Sequence, residues 1–483
     1  MKRMRTMKYI LAGLAAALLS ATAANAECGS EPVIFEARSG EQVEAWRGRL
    51  NVPEYRGDPG SRTLELGYIC FRATGEQPGM PIVYLAGGPG GTGTGTARGD
   101  RFSLFMAMRE FGDVIAFDQR GTGLSDSTEP CRSSIVLDPA APISEDAYTR
   151  AYLDAVAECA ARWREQGIDL RGYTTLESVH DLDALRVHLG APKISLWGIS
   201  YGSHLALAAL EEMGDRIEAA ILASAEGLDQ TVKLPAHTNT YFGRLQAAID
   251  AQPGARQRYG NARDLVMRVH AALDEEPILL TLASEAGDVD VLVRRADMQQ
   301  IAGAMIGDPE NAETLLDIYT ALDAGIHEPL KGLMGYFFAP GEPITLRAMP
   351  TAMDRASGIS APRLEAFRAQ AETSPIGAYL NFPMPQILPV LPELDLGEDF
   401  RTGPRSDVPV LLFSGTLDGR TYLEGQREAV AGLSQLTHIE VENAGHNLFM
   451  STPEVAEIMA HFLRCEEIDT TRIAARRVPF TTP

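Results

Sequence analysis

The sequence predicts an α/β architecture: a mostly parallel central sheet flanked by helices and interrupted by a large, mainly helical insertion. Short unbroken apolar runs at residues 82–86, 114–117, 219–223 and 408–413 have the length and composition of strands covered on both faces. Helical stretches separate several of these runs, and strand alternating with helix implies parallel pairing. From about residue 229 to 405 the pattern turns mostly helical, broken by Pro and Gly clusters at 339–343 and 383–392, which marks the insertion. The division expected is therefore a signal peptide at 1–26, a first part of the core at 27–228, a cap at 229–405 and a second part of the core at 406–483.

Taken in order, the first 26 residues have the layout of an export signal. Lys2, Arg3, Arg5 and Lys8 precede an apolar stretch from Tyr9 to Leu19, and Ala24-Asn25-Ala26 is a small-x-small cleavage site. The apolar stretch is short for a membrane span, and Glu27 stands where a lipoprotein signal needs a small residue before Cys28. The expectation is an exported chain, periplasmic or extracellular, with no membrane contact after cleavage. Loss of four basic and no acidic residues takes the formal charge from −22 to −26, which argues against nucleic acid or an anionic membrane as partner. Five cysteines in an exported chain imply disulfides and one thiol left over. Cys131 and Cys159 are the expected pair, a loop whose closure stabilises by roughly 3.5 kcal/mol in the chain-entropy model; partners for Cys28, Cys70 and Cys465 stay open. None has a second ligand at zinc spacing, so neither metal nor other cofactor is expected.

Residues 47–74 read as two strands around Gly57-Asp58-Pro59-Gly60, an antiparallel edge of the sheet. The strand at 82–86 empties into Gly87-Gly88-Pro89-Gly90-Gly91. Pro89 and the lack of a G-K-[S/T] disfavour a nucleotide-phosphate cradle, and glycines that let bare backbone N–H groups approach a substrate oxygen fit an oxyanion loop better. Residues 144–166 have helical composition, and Thr174-Thr175-Leu176-Glu177 has capping-box spacing ahead of a helix closed by Gly190 and Pro192. In the cap, Tyr336-Phe337-Phe338 is a candidate pocket lining, although core packing is the commoner fate of such clusters. Strands at 408–413 and 439–441 and helices near 423–433 and 452–464 complete the core; the tail from Thr470 is expected to be loosely held.

The chemistry centres on Gly198-Ile199-Ser200-Tyr201-Gly202, placed between an apolar strand and a helix. This is the G-x-S-x-G nucleophile elbow, in which the serine sits on a turn so tight that only small residues two positions either side avoid collision. A serine hydroxyl needs a base within hydrogen-bond reach and a group that holds the base in one tautomer. Asp418 ends one predicted strand and His446 follows the next, in the order Ser, Asp, His. In a parallel sheet all three emerge at the C-terminal edge, where such sites collect. The other histidines, His204 among them, have no such context. The backbone N–H groups of Tyr201 and Gly88 are the candidate oxyanion donors.

Three stretches carry a family resemblance: residues 86–90, Ala-Gly-Gly-Pro-Gly; residues 118–125, Asp-Gln-Arg-Gly-Thr-Gly-Leu-Ser; and the elbow. Together they resemble the α/β-hydrolase serine peptidases, the branch of proline iminopeptidases and secreted tripeptidyl aminopeptidases. Tyr173-Thr174-Thr175, residues 181–186 and the segment from about Val408 are similar to the tripeptidyl enzymes in particular, while the cap is unmatched. The resemblance implies hydrolysis of short peptides from a free N-terminus through Ser200, Asp418 and His446. Ala86 departs from it, standing where a histidine often opens the glycine loop. It also implies carboxylates that bind the substrate ammonium; no residue matches directly, and Glu226 and Asp229, just past a core strand, are the candidates. An esterase or amidase with the same triad is the alternative, and epoxide hydrolase or dehalogenase chemistry is excluded because it requires an aspartate in place of Ser200. Nothing in the sequence sets the oligomeric state.

Overall fold

The structure, a computed structural model, describes residues 28–283 and 287–480; the expected signal peptide and its cleavage site lie outside the described residues. Ten strands form one sheet in the order Glu31–Glu36, Gln42–Pro53, Thr63–Phe71, Val114–Phe117, Ile82–Leu85, Ile194–Ile199, Ile217–Ala223, Val410–Gly415, Leu436–Glu442, Arg472–Ala474. The first three and their junction with Val114–Phe117 are antiparallel, and every later pairing is parallel. The four-residue strands Ile82–Leu85 and Val114–Phe117 are buried along their whole length, as strands sandwiched between helices must be. This is the α/β-hydrolase fold that the sequence predicts.

The helices Glu145–Glu165, Thr175–His188 and Tyr201–Met213 cover one face. Ser144 and Thr174 cap the first two, each accepting a backbone N–H from the first turn. The quoted stretch 118–125 is a set of staples. Asp118 accepts from the N–H and hydroxyl of Thr94 and from the N–H of Leu124, which ties the glycine loop's outgoing helix, Gly93–Arg98, to the end of the strand. Gly123 has φ +53, and a Cβ there would meet the Asp118 carboxylate at 2.1 Å, so only glycine fits. Arg120, fully buried, makes a two-pronged ion pair with Asp181 on the helix Thr175–His188, both contacts at 2.7 Å.

Disulfides join Cys28 to Cys70 and Cys131 to Cys159, and Cys465 is free and exposed. The second anchors the strand Cys131–Val136, onto which the insertion lays its own strand Pro343–Leu346 antiparallel. The insertion is not one independent body. Its helices between Pro235 and Phe337, with a hairpin of Ile278–Leu282 and Val289–Val293, build a separate apolar core, whereas its helix Ala348–Ser357 packs into the main core against the elbow face. The tail departs from expectation: Arg472–Ala474 adds a parallel strand to the sheet edge, and Phe480 is buried against the insertion's helices. Free edge hydrogen bonds and one aromatic anchor suffice to hold it. Among the described residues no helix is long and apolar enough to cross a membrane.

Candidate active site

Ser200 lies between the strand Ile194–Ile199 and the helix Tyr201–Met213 with φ 55 and ψ −128, a backbone conformation that a residue with a side chain rarely adopts. The two flanking glycines make the turn possible. A Cβ on Gly198 would lie 2.6 Å from the carbonyl oxygen of Gly202, and one on Gly202 would lie 2.0 Å from that of Leu85. The Ser200 N–H donates to the carbonyl of Ala223, and the hydroxyl of the next residue, Ser224, donates to the carbonyl of His446 at 2.7 Å. The serine loop and the histidine loop are thus both tied to the end of the strand Ile217–Ala223.

Asp418 and His446 are brought together, with Nδ1 of the imidazole 3.1 and 3.2 Å from the two carboxylate oxygens. Asp418 is fully buried, and burial opposes its charge. The neighbouring His446, the N–H groups of Arg420 and Thr421 and the Thr421 hydroxyl outweigh that and hold its carboxyl below the usual range. A carboxylate that accepts at Nδ1 fixes the tautomer and leaves Nε2 as the basic nitrogen. The insertion supports both loops: Gly419 donates to the carbonyl of Ile306, His446 to that of Gly307, and Asn447 to the Asp308 carboxylate.

The glycine loop passes directly over the serine, since a Cβ on Gly87 would lie 3.1 Å from that of Ser200. Gly88 has φ +127, and a Cβ there would press on the N atoms of Gly90 and Gly91 at 2.7 and 2.9 Å. Gly88 and Pro89 form one wall of a cavity of about 180 Å³, whose other walls carry Glu226, Lys233, Asp354, Phe382 and Arg420. Of the two carboxylates named from the sequence, Glu226 lines this cavity and is paired with Lys233 at 2.6 Å; the ammonium keeps it charged although burial opposes that. Asp229 does not line it. Its carboxylate accepts the N–H of Ser360 and holds the start of the helix Ala361–Ala371.

Asp354 is the residue that sequence reasoning missed. It lies one turn from the end of the helix Ala348–Ser357, and burial, followed by the nearby Glu226 charge, pushes its carboxyl up to about 7 against the opposing influence of Lys233 and Arg420. No motif in the helical cap marks it. Arg420, two residues past Asp418, was within reach of a spacing argument. The aromatic patch divides: Phe337 and Phe338 line a separate cavity of about 490 Å³ with Tyr148 and Tyr152, while Tyr336 is exposed.

This sheet order and elbow define an α/β hydrolase, and sequence comparison agrees: the alpha/beta hydrolase fold matches residues 81–282. Residues 394–474 match the TAP-like protein family, so the chain carries an α/β-hydrolase-fold segment followed by a TAP-like C-terminal segment. It is similar to the serine protease Hip1 of Mycobacterium tuberculosis, 31% identical over 37% of this chain and 35% of the relative. The tripeptidyl aminopeptidase of Streptomyces lividans is 26% identical over 54% of this chain and 48% of its own. The proline iminopeptidase of Arabidopsis thaliana is 31% identical over 32% of this chain and 29% of its own. The chain thus spans between about a third and a half of the length of these curated relatives.

Proposed function

We propose that this protein is an exported serine exopeptidase that cleaves short peptides from a free N-terminus through an acyl-enzyme on Ser200. Nε2 of His446 takes the Ser200 proton as the oxygen attacks the scissile carbonyl, and Asp418 holds the resulting imidazolium. The backbone N–H groups of Gly88 and Tyr201 receive the oxyanion, and each such donor typically contributes ~3–4 kcal/mol to transition-state stabilisation. His446 then gives its proton to the leaving amine, and water, deprotonated in turn by His446, releases the acyl group. The observation that carries the amine-directed reading is Asp354: among the described residues it is a cavity carboxyl without an ion-pair partner, beside Gly88 and Pro89. A substrate ammonium there supplies the missing cation. Two disulfides support export to an oxidising compartment, and the relatives' names, serine protease and aminopeptidase, support a peptide substrate.

The test is hydrolysis of matched chromogenic substrates: a free-amine tripeptide anilide, single-residue Pro and Ala anilides, their N-acetylated twins, and a short acyl ester. Cleavage of free-amine anilides and not of the twins is the expected result, and the preferred length separates tripeptidyl from single-residue release. Turnover of the ester alone would replace this reading with an esterase.

A further inference from the structure

Four polar side chains, each no more than 1% exposed, form a continuous hydrogen-bonded chain beneath the elbow: Tyr201, Thr175, Ser357 and His204. The separations are 3.2 Å from the Tyr201 hydroxyl to Thr175, 3.2 Å from Thr175 to Ser357, and 3.0 Å from Ser357 to Nε2 of His204. Nδ1 of His204 lies 3.1 Å from the carbonyl of Gly227. One arrangement places every proton. A carbonyl only accepts, so Nδ1–H donates to Gly227. The ring is neutral, because burial lowers its pKa, and Nε2 therefore accepts from Ser357. The Ser357 oxygen is then free to accept from Thr175, and Thr175 from Tyr201.

Two of the elements joined line the cavity, the helix Ala348–Ser357 through Asp354 and the segment after the strand Ile217–Ala223 through Glu226, and the chain ties both to the elbow. Tyr201 follows Ser200. Gly227 follows Glu226. Ser357 stands three residues after Asp354, about 4.5 Å along the same helix face. We propose that this chain is a positioning device, in which His204 and Ser357 set the distance of the Asp354 and Glu226 carboxylates from Ser200. The proposal rests on the amine-directed reading of the cavity. The helix Ala348–Ser357 is held independently on another side, where Arg355 donates to the carbonyl of Val390 and Arg401 to that of Ser357. Loss of the chain therefore loosens its register without releasing it.

The experiment compares Thr175→Val, which keeps shape and removes the hydroxyl, Ser357→Ala, and Thr175→Ser, which keeps the hydroxyl. For a free-amine Ala anilide, the first two variants are expected to raise KM about 5- to 20-fold with kcat within twofold, while the short ester is unaffected and Thr175→Ser matches the parent. Hydrogen exchange should quicken in residues 348–357 and 225–228 and stay unchanged in the helix Ala262–Glu275 of the cap's own core. Equal loss of kcat on anilide and ester, or unchanged KM with unchanged exchange, would overturn the proposal. If the parent enzyme does not discriminate free from blocked amines, the amine reading fails, and the positioning role is then decided by exchange alone.

Discussion

Asp354→Asn preserves shape and removes the charge offered to a substrate ammonium. Two unit charges 4 Å apart at an effective dielectric near 20 attract by about 4 kcal/mol. Here Lys233 and Arg420 oppose that attraction across the cavity, and the ammonium gives up hydration. A net of ~1.5–3 kcal/mol remains, the range of a hydrogen bond to a charged group. The variant should therefore lose about 10- to 100-fold in kcat/KM on free-amine anilides and nothing on the ester. Because the carboxyl is pushed up to about 7, the parent's kcat/KM on free amines relative to that on the ester should fall as pH drops below about 7. The same ratio should stay level in the variant, since the His446 base acts on both substrates and cancels. Bound ammonium favours the charged form, so the same fall should lie at lower pH in kcat. Stability should move the other way. A carboxyl whose folded pKa is raised binds its proton more tightly in the native state, so its cost to stability is absent below about pH 4, grows up to about pH 7 and is constant above. Asp354→Asn should accordingly unfold at a higher temperature than the parent at pH 8, with the gap narrowing toward pH 4. Equal losses on free-amine and ester substrates, or a free-amine-to-ester ratio that still falls with pH in the variant, would refute the charge role of Asp354.

Asp418→Asn should leave the fold intact and lower kcat by about 10⁴, since an amide at that position favours the wrong imidazole tautomer; circular dichroism and steady-state kinetics check both halves. Arg120→Ala leaves Asp181 buried without its main partner, a situation that costs ~3–5 kcal/mol, and denaturant unfolding should register it with little change in the kinetics of surviving native enzyme. Replacing Cys131 and Cys159 together by serine should cost roughly 3.5 kcal/mol, read as a lower unfolding midpoint under non-reducing conditions.

Much of the core was legible because its signals are local. The strand at Ile194–Ile199 is a mostly apolar run interrupted only by Ser195, the turn after it admits only glycine at 198 and 202, and the backbone at Ser200 has the strain that this spacing requires. Asp418 and His446 could be named because a parallel sheet delivers successive strand ends to one edge. The Cys131–Cys159 pair followed from its short loop, whereas Cys28–Cys70 depends on the pairing of distant strands, which no spacing reports. The cavity's charges were hidden for the same reason. Asp354 acquires its meaning only when the helix Ala348–Ser357 folds back onto the elbow face, and Asp229 looked equivalent to Glu226 until Ser360 was seen to occupy it. The tail misled because a three-residue strand has too little pattern to register, although the sheet edge gives it partners.

Labelling the mature protein with a fluorophosphonate and locating the adduct by peptide mass spectrometry tests whether Ser200 is the nucleophile of an intact catalytic machinery. A single stoichiometric adduct on Ser200 is expected, absent from a folded Ser200→Ala variant. Labelling at another residue, or none in a natively folded protein at neutral pH, would contradict that role.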